Sequence, residues 1–483
     1  MNIALVLNFV GIVLIFVSTF MLLPILISII YRGTDLIALA VSLFITLFTG
    51  IMLHLLTRAH KDVELKHRDG FAIVTISWLT VSFFGSLPFI ISGSIPSFTD
   101  AYFEAMSGFT TTGASILTDV EALPKGILFW RSLTHWMAGM GIIVLSLAIL
   151  PMLGAGGMQL FKAEVPEIGV VEKLRPRIAD TAKALWYIYT AITIIGVILL
   201  FLGGMNLYDA LCHSFGAVAT GGFSIKNTSI AHYQSAYIDI VITLLMLTGG
   251  VNFSLHFYAF RGDFSRYWKS GEFRFFCFIV SLSILLITLN MMGPNYTSPF
   301  DALRYAAFQA VSIVTATGYV TADFEKWPVL SQMLLVSLMF FGGMVGSTAG
   351  GMKQVRVLLM FRQAYRELYQ LIHPHAVTYV KLDGKPLTKE VLDGIWGFIF
   401  LFLSVYVIGV LIMSSLGVDI ITSATTVISA MSNIGPALGA AGPMENYSTI
   451  PLAGKWVLIL CMLIGRLEVY TVIIFLVPHF WRK

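Results

Sequence analysis

Four short segments carry the residue types suited to handling an alkali ion: Thr111-Thr112-Gly113, Thr220-Gly221-Gly222, Ala316-Thr317-Gly318 and Asn433-Ile434-Gly435. What each offers is backbone rather than acid, base or nucleophile. A Gly tolerates positive φ and lets carbonyl oxygens turn to one side, and rings of carbonyls can replace the water around an ion. An Asp precedes each final Gly, Asp100, Asp209, Asp301 and Asp419, by 13, 13, 17 and 16 residues. Six residues before each Gly stands a small residue: Ser107, Gly216, Ser312 and Ser429. On this spacing the two later copies are about one helical turn longer than the earlier two.

These segments need elements to aim them. An Asp at the start of an apolar helical stretch is expected to cap its free N–H groups and to complement the positive end of the helix dipole. About 10 residues of helix follow, too few to cross ~30 Å of hydrocarbon but enough for a re-entrant segment. Its partially negative C-terminus would face a central cavity, which favours a cation.

Each copy lies between two long apolar runs. Of the 483 residues 57% are hydrophobic and 12% charged, too apolar for a soluble protein of this size. Ten spans are expected, roughly 3–30, 35–57, 71–93, 126–150, 184–204, 236–260, 273–292, 329–352, 394–416 and 452–478. The first is too long for a signal peptide, lacks a basic start and a small-residue cleavage site, and reads as a retained span. Basic residues concentrate in 58–70, 159–183, 261–274, 353–389 and the C-terminal Arg482-Lys483, which together hold 22 of the 30 Lys and Arg. That asymmetry places both termini in the cytoplasm and the four Gly segments at the outer face. The net charge of +4 therefore reflects topology, not a nucleic-acid surface. Cys212, Cys277 and Cys461 lie in apolar segments and indicate neither a disulfide framework nor a metal site.

The fold expected is an all-α membrane protein: four span–pore helix–span repeats around a pseudo-fourfold pore, with a two-span N-terminal prefix. The prefix covers residues 1–57, the repeats 70–152, 180–261, 272–370 and 390–483, and residues 371–389 a hairpin on the cytoplasmic side. In that hairpin Asp383-Gly384 marks a tight turn.

With these features the chain resembles, over essentially its whole length, the channel-forming subunits of bacterial Trk-type potassium uptake systems (TrkH and TrkG) in the Trk/Ktr/HKT superfamily. The resemblance rests on Thr-Thr-Thr-Gly113, Ala-Thr-Gly-Gly222, Thr-Ala-Thr-Gly318 and Asn-Ile-Gly435, each between two spans. It implies a potassium- and rubidium-selective uptake channel in the bacterial inner membrane, with K+ held by the backbone carbonyls of these segments and no enzyme activity. Sodium-carrying plant relatives often have Ser at the first filter position, so Gly at all four favours potassium. The fourth copy departs most, with Asn433 and Ile434 followed by Pro436, and fewer well-formed ion sites are expected than in a tetrameric potassium channel.

A second feature is the run Phe341 to Gly351, with Gly342, Gly343, Gly346, Ser347, Thr348, Gly350 and Gly351. Gly342, Gly346 and Gly350 at steps of four could form a stripe for close helix packing. Alternatively, five Gly in ten positions break the helix, which membrane depth tolerates where backbone lines a water-filled cavity. The resemblance favours the second reading and makes this run an intramembrane gate loop. Arg466, about 14 residues into its helix, lies ~21 Å deep at 1.5 Å per residue. Such a charge faces the bundle interior or water. It is then a barrier to cations, or a donor holding the loop's carbonyls; the alternative is snorkelling toward the cytoplasm. Helix geometry disfavours pairing with Glu468, since residues two apart point to different sides.

Glu104, His213 and His135 read as packing or capping residues before outer-mouth groups, and His373-Pro-His375 lacks a third metal ligand. Lys353 to Ile372 reads as a basic amphipathic helix leaving the membrane. The stretch that follows is either an ordinary solvated linker or a docking surface; by resemblance the partner is a TrkA-like cytoplasmic ring that binds ATP, ADP or NAD and assembles under a homodimer. No Gly-rich phosphate loop occurs in the chain, so nucleotide dependence, and any organic cofactor, belongs to that partner. The competing readings are a proton- or sodium-coupled symporter, a sodium-preferring relative and a membrane enzyme. They lack, respectively, a relay of protonatable residues across the spans, a filter Ser, and clustered acid, base or metal ligands.

Overall fold

The computed structural model describes residues 2–58, 66–149 and 174–481. Most of the basic loop 58–70, the basic residues up to Lys173, the end of the first repeat and Arg482-Lys483 lie outside the described residues. Most of the described chain is helical, and its two-stranded hairpin, β1 (Lys381–Leu382) and β2 (Lys385–Pro386), turns at Asp383-Gly384 with φ of 49° and 82°.

Among the described residues six helices are long and apolar enough to span a membrane: Ile3–Tyr31, Leu36–Thr57, Arg68–Ile91, Thr181–Leu202, Gly271–Met291 and Lys389–Ser415. Their outward faces are apolar and exposed, as at Phe44, Leu202, Phe400 and Leu411, the pattern of surfaces solvated by lipid. Of the other four expected spans, only Lys125–Ile149 is one continuous helix. Ala236–Gly250 ends at Gly249-Gly250, and a new helix, Phe253–Phe260, leaves at 105°. Asn252 starts that helix by accepting from Ser254 N at 2.8 Å. Leu452–Arg466 likewise breaks, turning by 115° where Glu468 and Val469 take positive φ. The expected span 329–352 is helical only over Val329–Leu338.

Between spans sit four short helices, Phe98–Phe109, Leu207–Val218, Pro299–Val314 and Ile420–Ser432, of 12, 12, 16 and 13 residues. Most residues in them are buried, because each packs against both of its flanking spans, and the first three also against a span of a neighbouring repeat. Lys125–Ile149 of the first repeat packs on the second short helix. Ala236–Gly250 of the second packs on the third, and Leu452–Arg466 of the fourth returns to the first. Gln354–Ile372 of the third packs on Lys389–Ser415 of the fourth, so the repeats close on one another as a ring. The N-terminal prefix lies outside it, packed on the first repeat: Asp35 is buried and accepts from Ile127 N at 2.8 Å, capping Lys125–Ile149.

One expectation about the short helices is corrected. Asp100, Asp209 and Asp301 are not the caps; Ser97, Asn206 and Ser298 are, each accepting from the backbone N–H of that Asp three residues on. Only Asp419 is itself the cap. Ser, Asn and Asp all serve as N-caps, and an acid in the first turn still complements the dipole. Counted from the true cap, the final Gly lies 16, 16, 20 and 16 residues on. Only the third copy carries an extra turn.

Candidate ion pathway

The four short helices end in the same way. Thr111, Thr220, Ala316 and Asn433 take left-handed backbone, with φ between 50° and 54°. The N–H of the next residue, Thr112, Gly221, Thr317 or Ile434, donates to the carbonyl of Ser107, Gly216, Ser312 or Ser429 at 2.8–2.9 Å. This is the Schellman ending of a helix, built without Gly at its left-handed position. The small residue six before each Gly is therefore its hydrogen-bond anchor. Gly216 has no side chain because the Tyr319 hydroxyl fills that place, donating to His213 O at 3.1 Å.

Two residues after the left-handed position comes the Gly, again at positive φ: 80° at Gly113, Gly222 and Gly318, and 101° at Gly435. A Cβ on Gly113 would fall within 3.0 Å of Gly221 O. On Gly222 it would meet Thr317 O, on Gly318 Ile434 O, and on Gly435 Thr112 O, all within the same limit. Each Gly thus abuts the carbonyl of the residue before the next copy's Gly, and the fourth returns to the first. All twelve segment residues named from sequence come together in one closed ring. A hydrogen bond from Asn433 Nδ2 to Thr112 Oγ1 at 3.0 Å joins the fourth copy to the first.

The Gly-rich run lodges against the short-helix ends of this ring. It is irregular from Met339 to Lys353, so the packing-stripe alternative is set aside. The Thr348 hydroxyl donates toward Val218 O and Gly249 O, both at 3.0 Å, and lies 3.2 Å from Thr220 Oγ1. Met344 N donates to Gly250 O at 2.9 Å, and Phe253 N donates to Gly346 O at 3.0 Å. The break in the second repeat is thus the seat of the loop of the third. Gly350 is pressed on Ser432 O at the end of the fourth short helix, closer than any Cβ allows. Gly342 and Gly351 lie against one another, and Gly343 and Ser347 pack within the loop.

Arg466 is buried, not snorkelled: its Nη1 donates to Thr348 O at 2.8 Å and its Nη2 to Ala138 O at 3.4 Å. It sits at the helix break, where no turn of helix carries it outward. Glu468 pairs with Arg356.

Sequence reasoning missed several groups that hold this arrangement. Glu272 Oε1 accepts from Val345 N at 2.9 Å and Val355 N at 3.1 Å, tying the interior of the loop to the first turn of the helix that follows it. Gln354 Nε2 donates to Gly342 O at 2.8 Å. Arg131 is buried and pairs with Glu104 at 2.6 Å, while its Nη1 donates to Ser224 O at 2.7 Å. Glu104 also accepts from Ile116 N at 2.9 Å. This knot ties the first short helix to the chain beyond Gly113 and to the second copy. His213 is bonded on both nitrogens, to Asp209 O and Ser224 Oγ. Intramembrane charge near spans was the available signal for Arg131 and Glu272; nothing marked Gln354. Among the described residues no cluster of three or more metal-ligating side chains occurs.

The geometry can be set beside known proteins. The family model described as "TrkH: Cation transport protein" matches residues 38–483. The Trk system potassium uptake protein TrkH of Vibrio parahaemolyticus is 43% identical over 483 residues, covering 99% of each chain. Its Escherichia coli K12 counterpart is 41% identical over 477 residues, 98% of each, and TrkG of that strain 33% over 468 residues, 96% of each. The crystal structure of the potassium transporter TrkH from Vibrio parahaemolyticus superposes with a TM-score of 0.92 at 41% identity, covering all of both chains. This chain is a multi-pass membrane protein of the TrkH family of cation transport proteins, which are transporters and not enzymes.

Proposed function

We propose that this chain is the pore subunit of a Trk-type potassium uptake system, passing K+ and Rb+ through the ring of Thr111 to Gly113, Thr220 to Gly222, Ala316 to Gly318 and Asn433 to Gly435. The observation that carries the reading is the closed ring, in which each Gly meets the carbonyl of the neighbouring copy. A left-handed residue two before each Gly turns successive peptide planes alternately, the backbone habit that points carbonyls at an axis. The names of its relatives, potassium uptake proteins, agree.

The run from Gly342 to Gly351 is the gate, with Arg466 its tether and charge barrier. Support comes from its seat against the ring's helix ends and from the Arg466–Thr348 bond. Regulation comes from a TrkA-like nucleotide-binding ring on a homodimer, with the basic loops and both termini in the cytoplasm. The helix Gln354–Ile372 leaves Tyr365, Leu368, Leu371 and Ile372 exposed on one apolar face, which supports a docked partner there.

The test is flux into proteoliposomes holding the purified chain, with K+, Rb+ and Na+ in competition, with and without a pH gradient. K+ and Rb+ uptake that resists Na+ and ignores the pH gradient is expected. Uptake that follows the gradient would replace this reading with a coupled symporter.

A further inference from the structure

A cavity of about 770 Å³ opens between the irregular loop, the turn at 261–270 and the β-hairpin. Met344 and Val345 of the loop form one wall, and Leu382, Asp383 and Lys385 of the hairpin another. Its lining carries Lys269, Arg274 and Lys385, none of which has an acidic partner within ion-pair distance among the described residues. The two acids in the lining are engaged: Glu272 accepts from Val345 N and Val355 N, and Asp383 from Gly271 N at 2.6 Å. With Arg266 paired to Asp263, the cations Lys269, Arg274 and Lys385 outnumber the carboxylates Glu272 and Asp383, so the concavity keeps an excess of positive charge that an anion would offset.

The surroundings indicate where that anion comes from. Phe264 and Trp268, beside the cavity, are 65% and 68% exposed, and the apolar span Gly271–Met291 begins two residues after Lys269. Exposed aromatic rings at the end of a span mark the headgroup level of a bilayer. Basic pockets between helices at that level hold lipid phosphates. No Gly-rich loop that would cradle a nucleotide occurs in the chain.

We propose that this cavity binds the phosphate headgroup of an anionic membrane lipid, through Lys269, Arg274 and Lys385. Because Glu272 and Val345 are shared between the cavity and the loop, occupancy would also stiffen the loop; that consequence rests on the gate reading, whereas the binding does not.

The purified full chain in detergent is incubated with phosphatidylglycerol, phosphatidylcholine, inorganic phosphate or ATP. Retained ligand is read by native mass spectrometry and thermal unfolding, neither of which depends on flux. Phosphatidylglycerol alone should be retained and raise the unfolding temperature. K269Q/R274Q/K385Q should weaken that retention about fivefold per charge, on the order of a hundredfold in all. K326Q, at an 82% exposed side chain elsewhere, should leave it unchanged. Equal retention of phosphatidylcholine, or of phosphatidylglycerol by the triple variant, would overturn the proposal. So would stabilisation by phosphate or ATP without the lipid.

Discussion

The ring of His135 fills the space that a side chain on Gly221 would need; a Cβ there would overlap His135 Nδ1. The corresponding residues in the other copies are Thr112, Thr317 and Ile434, each with a side chain behind the backbone. His135 is buried, stacks on Phe223 at 4.1 Å between centroids, and bonds through neither nitrogen. It replaces, from Lys125–Ile149, the packing that the second copy lacks. Gly221 is not at positive φ, so Ala is barred there by space and not by backbone.

Gly221→Ala is therefore expected to cost about 1–3 kcal/mol by overpacking and to reduce Rb+ flux. Gly221→Ala with His135→Ala should recover part of both losses, since the second change removes the obstruction. Thermal unfolding and flux of the two single variants and the double variant check this. An additive double variant, with no recovery, would show that the ring and the Gly are uncoupled.

Arg466 joins Thr348 O in the third repeat to Ala138 O in the first, from the fourth. A hydrogen bond from a charged donor is worth about 1.5–3 kcal/mol, so its loss would shift a closed–open balance by roughly tenfold or more. Arg466→Ala should raise passive flux by about that factor. Arg466→Lys keeps the charge but loses the planar fork that reaches two carbonyls, and should raise flux less. Lowered flux in a folded Arg466→Ala protein would argue that the guanidinium holds the path open.

The buried pair Glu104–Arg131 is a question of stability. Removing one partner strands a charge and costs about 3–5 kcal/mol. Glu104→Ala and Arg131→Ala should each lower the unfolding temperature sharply, and the double change should cost less than the sum of the two. Full additivity would show that the pair acts through its separate bonds to Ile116 N and Ser224 O.

The four Gly segments were legible because their chemistry is local: a small residue, a short apolar helix and a Gly recur at fixed spacing. The caps were misplaced although a signal was present. Ser97, Asn206 and Ser298 each precede their Asp by three residues, the spacing of a capping box, with Asp where Glu or Gln is usual. The breaks at Gly250 and Arg466 were hidden for a different reason. Hydropathy averages over a window, and both halves of each bent pair are apolar. What stayed out of reach was pairing across repeats, such as Gln354 with Gly342 or His135 with Gly221, which depends on how distant segments meet.

The third copy offers the sharpest separation of backbone strain from function. Ala316 and Gly318 are both left-handed, at φ 54° and 80°, yet only Gly318 abuts the next copy, its Cβ position falling on Ile434 O. A non-Gly residue in left-handed backbone costs roughly 1–2 kcal/mol. Ala316→Gly relieves that, while the freer unfolded chain offsets about 0.4–1 kcal/mol. The variant should be as stable as the parent or slightly more so, and should conduct normally. Gly318→Ala meets both the strain and the carbonyl, and should abolish selective Rb+ uptake whether or not the protein still folds. If Gly318→Ala conducted with unchanged preference for K+ over Na+, the carbonyl ring could not be the element that selects the ion.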